Sequence, residues 1–252
     1  MPMMTMMNNG RLPALFILLV TLFCTAASAE IPALNTFNAD YIVYRAGKKH
    51  GEANRYLTTT EQGYQLGYLS DISWMIFSDK RKETSDFTLE NGQIKPQRYI
   101  MQRSGTGPDR YYELNLDYQN KVLAEGKNRQ PKAVNWLDDW QDQISYQLQL
   151  ALDLKAGKTE FHYNVLNRNG NSKLYHYKVV AEETLPLPYG NVKTLRIARI
   201  EQNSDKQIYA WVAPELDYML VRLWRGEDNV EQFDVQLHKL DIKLVSQTQA
   251  SP

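Results

Sequence analysis

The sequence predicts a mainly β protein, an antiparallel, strongly curved sheet or incomplete β-barrel of about a dozen strands, with one amphipathic α-helix on the concave side. Three observations carry that expectation. Apolar and polar residues alternate with period two along most of the chain. Gly, Pro and an Asn-Gly pair break the alternation at hairpin spacing. A single stretch changes to a period of three and four, the spacing of a helix face. All 16 tyrosines and five tryptophans lie beyond residue 29, and such rings favour pleated, half-buried surfaces.

The chain opens with a segment that belongs to no fold. "MPMMTMMNNGR" carries one charge, Arg11, and "LPALFILLVTLFC" is a short apolar run. Ala27-Ser28-Ala29 supplies small residues at the positions a signal peptidase reads, so residues 1–29 are expected to be a cleaved secretory signal. Cys24 does not suit lipid attachment, because the bulky Phe23 precedes it. If Cys24 leaves with the leader, the mature chain holds no thiol and forms no disulfide.

Residues 30–252 then form one expected β-rich periplasmic domain. Removing Arg11 from 29 basic residues leaves 28 against 29 acidic, a net charge of −1. No basic field for nucleic acid is indicated. No apolar stretch after Ala29 approaches the length of a membrane span.

The first strands follow directly. "FNADYIVYRAG" places Phe37, Ala39, Tyr41, Val43 and Arg45 on one face. "GEANRYLTTTEQGYQLGYLS" is a pair of runs around Gln62-Gly63. "SDFTLENGQIKPQRYIMQR" contains Asn91-Gly92, a strong hairpin signal. "DRYYELNLDYQNKVLAEG" turns near Gln119-Asn120.

"LDDWQDQISYQLQLALDLKAG" is the exception. Trp140, Ile144, Leu148, Ala151 and Leu152 recur at threes and fours, which predicts a helix over about 139–155. Asp138 or Asp139 is expected to cap its start, and Lys155 with Gly157 suits its end. In "KTEFHYNVLNRNGNSKLYHYKVV", the faces Phe161, Tyr163, Val165 and Tyr175, Tyr177, Val179 meet only if paired positions sum to an even number. That requires an odd loop, expected at Asn169-Gly170-Asn171.

Chemistry is sparse. The even register puts His162 and His176 on one hairpin face, where two imidazoles could hold a metal if a carboxylate joined them. The opposite face is the aromatic one and no H-x-x-x-H spacing occurs, so this face reads as solvated, and no metal or cofactor is expected. No G-x-S-x-G elbow occurs. "SGTGPDR" reads as a hairpin turn, since no helix follows it. Asp138, Asp139 and Asp142 read as helix-start acids in preference to a catalytic pair.

Two apolar groups stand out as candidate ligand contacts. Trp74, Met75, Ile76 and Phe77 run together just before Lys80, Arg81 and Lys82. This is either a strand end meeting a solvated turn, or an apolar surface rimmed by charge. Trp136 and Trp140, with Ile144 and Leu148, would line either a packed core or a cavity beneath the helix. The candidates are therefore Trp74, Met75, Phe77, Trp136, Trp140, Ile144 and Leu148.

The motif "IYAWVAPELDYMLVRLW" resembles the closing signature of an exported Gram-negative family, the domain of unknown function DUF 3108. Trp211, Pro214, Leu216-Asp217, Leu220-Val221-Arg222 and "FDVQL" occupy its places. Met219 stands where the family often has Leu, and Leu220 replaces its Pro. "YIVYRAGKKHGEANRYL", "ETSDFTLENGQIKPQRYIMQRSG", "DDWQDQISYQLQLALDLKAG" and "LPLPYGNVKTLRI" fit as well, so the likeness covers nearly the whole mature chain. It implies an exported β-rich domain and carries over no catalytic residue. At the level of fold it is similar to the periplasmic half-barrels that carry lipoproteins.

The expected function is a non-enzymatic periplasmic binding or carrier module for an apolar or amphiphilic envelope ligand. An envelope scaffold or partner-binding protein is the alternative, and an unrecognised hydrolase a further one. N-terminal sequencing of exported protein should find Glu30 first; intact Met1 or an acylated Cys24 would refute the leader reading.

Overall fold

A computed structural model describes residues 34–201, 205–228 and 230–244. The expected leader, its cleavage site and Cys24 lie outside the described residues. Everything below concerns the large unit that begins at Ile31.

The described strands form one sheet of 15, against the dozen expected. One arm runs β1 (Thr36–Arg45), β2 (Lys48–Thr60), β3 (Gly63–Trp74), β4 (Phe77–Glu90), β5 (Gln93–Gly105), β6 (Arg110–Asp117), β7 (Val122–Glu125) and β8 (Gln130–Lys132). The short β9 (Trp140–Gln141) and helix α1 (Ser145–Lys155) follow. The second arm is β10 (Glu160–Leu166), β11 (Ser172–Leu187), β12 (Gly190–Arg199), β13 (Lys206–Ala213), β14 (Met219–Glu227) and β15 (Val230–Lys243).

β1 pairs with β15 at the centre, and each arm meanders outward to an edge, β8 on one side and β9 on the other. The sheet is open: its edge strands do not pair with each other. Adjacent strands are antiparallel except β9 and β10, which are parallel.

Turn chemistry explains the meander. Asn91 (φ 51°) and Gly92 (φ 77°) form a two-residue loop between Glu90 and Gln93. Both residues adopt the left-handed conformation that matches strand twist, as the Asn-Gly pair predicts. The alternation also sorts as expected. Phe37, Ala39, Tyr41 and Val43 are all buried on one face of β1.

The β10–β11 register confirms the parity argument. Tyr163 faces Tyr175, Phe161 faces Tyr177 and His162 faces His176. The loop itself is one residue earlier than expected: Asn167 N–H donates to Asn171 O at 2.8 Å, enclosing Arg168-Asn169-Gly170. The Asn167 side chain sets this turn by accepting from the backbone of Asn169 and Asn171, an Asx device that the glycine alone does not reveal.

The helix also starts later than expected, at Ser145 instead of about residue 139. Trp140 and Gln141 pair in parallel with Asn164 and Val165, so their backbone groups are committed to the sheet. The capping acid is Asp142, not Asp138 or Asp139. Its Oδ1 accepts from the N–H groups of Ile144 and Ser145 at 2.9 and 2.8 Å.

α1 lies against the apolar face of the sheet. Leu150 and Leu154 pack with Phe161, Tyr163, Val165, Tyr177, Ile197 and Val212. Trp140 and Ile144 join the larger cluster built on β1–β7. The β11–β12 hairpin bends at a bulge near Val180, and Tyr189 N–H at its tip donates to Leu237 O at 3.1 Å.

One glycine tests the packing of strands. A Cβ on Gly51 would stand 2.1 Å from the Asp71 backbone oxygen in the neighbouring strand. Gly51→Ala should therefore cost about 1–3 kcal/mol through forced strand displacement, measured by urea unfolding.

Candidate functional site

The best candidate site is the contact between α1 and the sheet. It has a locked end and a loosely closed end. At the locked end Asp142 is fully buried. Its Oδ1 caps the helix, and its Oδ2 accepts from the Ser85 hydroxyl of β4 at 2.5 Å. Ser145 Oγ returns a contact by accepting from Asp142 N–H at 2.8 Å. Burial pushes the Asp142 carboxyl up to about 6, outweighing the hydrogen bonds that favour its charge.

One turn further, the Gln149 amide takes over. Its oxygen accepts from Ile94 N–H at 2.8 Å and its nitrogen donates to Gly92 O at 3.2 Å. Gln141 donates to Ile94 O at 2.9 Å. Two glutamines thus satisfy both backbone groups of Ile94 at the β4–β5 turn, where water does not reach.

The other end is held more lightly. Lys155 in the last helical turn pairs with Asp217, which also accepts from the Asn35 amide at 3.0 Å. Asp217 and Tyr218 hold left-handed backbone, φ 60° and 57°, after a short 3-10 turn at Pro214–Leu216. A cavity of about 70 Å³ lies behind them. Leu34, Phe37, Leu57, Leu148, Leu152 and Leu220 contribute its apolar wall, and Asn35, Lys155 and Asp217 its polar members.

Arg55 also lines this cavity and is only 7 % exposed. It stands on the inward face of β2 between Ala53 and Leu57. Its positive charge lies close enough to the buried Tyr41 phenol to oppose the upward push of burial on that group, and the Tyr41 hydroxyl donates to Leu220 O at 2.7 Å. Among the described residues no carboxylate lies within 4.0 Å of it. Glu83, the nearby buried acid, is engaged by Arg81 at 3.6 Å and by the Tyr99 hydroxyl at 2.5 Å. Burying a cation is costly, and Arg55 gives one wall of the otherwise apolar cavity a positive charge.

The seven candidates from the sequence fall in three places. Trp74 and Phe77 pair across the β3–β4 turn; the side chain of Trp74 lies outside the described residues. Met75 and Ile76 form the tip, 85 % and 86 % exposed, and Phe77 is about half exposed. Trp136 stacks edge-on with Trp140 at 4.9 Å and with Tyr118 at 5.1 Å. Trp140 and Ile144 are buried in the main core. Of the six whose side chains are described, Leu148 alone lines the cavity. Arg55, Asn35 and Asp217 escaped the sequence reading. The available signal for Arg55 was a charge at an inward position of the alternating run "EANRYL".

Among the described residues this geometry defines a class of protein, one open β-sheet with a single α-helix over a small cavity that a buried cation lines. The chain matches the family model "Protein of unknown function (DUF3108)" over residues 35–234, and it belongs to that family. No curated protein sequence matches it. Its structure is similar to the beta-barrel-like protein of domain of unknown function DUF1849 from Brucella abortus. That likeness has a TM-score of 0.58 at 11 % identity and covers 84 % of this chain and 100 % of the other. A lipoprotein-like protein from Parabacteroides distasonis overlaps 83 % of this chain and 97 % of its own, at 15 % identity and a TM-score of 0.32. That second likeness carries no argument.

Asp142 makes the locked end sensitive to pH. Its ordinary value is 3.8 and its folded value about 6. Between these the folded protein keeps a proton that the unfolded chain has released. The stability from that proton is fully present below about pH 4 and lost as pH rises through about 6, a change of up to about 3 kcal/mol. Urea unfolding between pH 4 and 7 should show this slope in the wild type and lose it in Asp142→Asn.

Proposed function

We propose that the protein is a periplasmic, non-enzymatic carrier of an apolar or amphiphilic envelope ligand, held between α1 and a sheet curved round it as an incomplete barrel. The observation that carries the reading is the apolar cavity with Arg55 on its wall. Such a site accepts a hydrocarbon segment together with an acidic or phosphate-bearing group.

Chain connectivity supports the curvature. Fifteen strands laid flat would separate the edges by roughly 67 Å at about 4.8 Å per strand. The seven residues joining β8 to β9 can span at most about 28 Å. A curved sheet brings the edges within that reach, and the contact from Lys132 near one edge to Asn169 O in the β10–β11 loop supports it. The similarity to a beta-barrel-like fold points the same way.

The cavity volume sets a condition on loading. An engineered apolar cavity of about 150 Å³ holds one benzene, so 70 Å³ holds only a few atoms. A longer chain enters only if the Lys155–Asp217 end moves. An envelope scaffold is the second reading, favoured by the exposed apolar tip at Met75 and Ile76.

Paired truncations separate the two. Leu154 is 5 % exposed in a filled cluster, so Leu154→Ala should cost about 2–5 kcal/mol. Leu148, beside the cavity, should cost less when truncated, and Leu148→Ala should weaken binding of an apolar fluorescent probe. Arg55→Leu should weaken binding of an anionic fatty-acid probe more than an uncharged one. A wild-type protein that binds neither probe, with both truncations equally costly, would leave the scaffold reading.

A further inference from the structure

We propose that Glu160, His162 and His176 form a surface site for a divalent transition-metal ion of the zinc type. The site is independent of the cavity and faces away from it. His162 and His176 are directly opposite in the β10–β11 register, with Phe161, Tyr163, Tyr175 and Tyr177 turned to the other, helix-covered face. Strand pairing therefore fixes the two imidazoles on one side before any ion arrives.

The rings stack with centroids 4.3 Å apart and planes 16° from parallel. The carboxylate comes from Glu160, two residues before His162 and on the same face. Its Oε1 lies 2.7 Å from His176 Nε2. Nitrogen and oxygen donors from all three residues lie within 4.8 Å of one another.

Two imidazoles and a carboxylate match the donor preferences of zinc, which takes bonds of about 2.0–2.2 Å to nitrogen and oxygen in tetrahedral geometry. Such a tetrahedron separates its donors by roughly 3.4 Å. Converging from 4.8 Å needs rotation about side-chain bonds only, because the backbone is already in register. The ion would replace a carboxylate–imidazole hydrogen bond with two stronger contacts. It would also clamp the β10–β11 hairpin, whose other face packs against Leu150 and Leu154 of α1. Three protein ligands leave the fourth position to water or to a group on another molecule.

The nearest competing charge is Lys178, the cross-strand neighbour of Glu160. It limits affinity without occupying a ligand position. His50 and His238 lie on other strands, β2 and β15, so a signal confined to His162 and His176 identifies this site.

The test is calorimetric titration of the untagged protein with zinc chloride at pH 7.5, repeated on Glu160→Gln, His162→Ala and His176→Ala. The expected result is one ion per chain, with affinity falling by at least about tenfold in each variant. These side chains are on the solvent face, so the unfolding temperatures without metal should match the wild type. Zinc should raise that temperature in the wild type and leave the double variant His162→Ala/His176→Ala unmoved. Absence of binding up to millimolar zinc, or equal binding by the double variant, would overturn the proposal.

Discussion

A buried carboxylate decides where the helix sits. α1 has 11 residues, its N-cap Ile144 offers no side-chain acceptor, and no acid lies in its first turn. Helices of that length are marginal alone. Asp142 supplies from outside what the helix lacks, accepting two of its first N–H groups and the Ser85 hydroxyl together. One side chain thereby ends β9, starts α1 and joins both to β4. Its cost is desolvation of a charge, visible in the raised proton affinity of the carboxyl.

From that anchor the two ends of α1 acquire different mechanical characters. The first turns are held by groups buried from water, Asp142 and Gln149, whose removal would leave backbone donors and acceptors unsatisfied. The last turn is held by the Lys155–Asp217 pair, both about one-third exposed and of a kind that contributes little. The Tyr163 hydroxyl, donating to Asp153 at 2.8 Å, and the burial of Leu154 hold it as well. Packing does not follow that gradient: Leu154 in the last turn is buried in the filled cluster, while Leu148, Leu150 and Leu152 line the cavity.

The sequence made some of this legible, and the reasons differ by residue. Alternation in β1 and the parity of the β10–β11 hairpin depend on a period that sheet geometry enforces, so both could be derived. The helix start could not, because Trp140 fits a helical stripe as well as it fits a buried strand residue. Periodicity places Trp140, Ile144 and Leu148 on one face whether or not the backbone between them is helical. Asp138, Asp139 and Asp142 are equivalent by composition; only the presence of Ser85 across the fold distinguishes Asp142. Arg55 was visible as a charge in an inward position, but its meaning depends on which carboxylates are already engaged, and that is a tertiary fact. Glu160 joined the histidines only when the register became known.

The parallel β9–β10 pair also explains why an otherwise meandering sheet contains a helix. β9 and β10 are parallel neighbours in sequence, and parallel strands cannot be joined by a tight turn; the chain must cross over, usually through a helix. α1 is that crossover. It is therefore covalently committed to the sheet at both ends, unlike a flap on a single hinge. Lifting its first turn would strip the two-residue β9 from the edge and expose Trp140 to water. Movement of the last turn would break the Lys155–Asp217–Asn35 contacts, the hydrogen bond from the Tyr163 hydroxyl to Asp153 and the packing of Leu154, but would leave every strand paired. Topology thus favours enlargement of the cavity on the side where Leu152 and Lys155 meet the residues after the 3-10 turn, Asp217 and Tyr218.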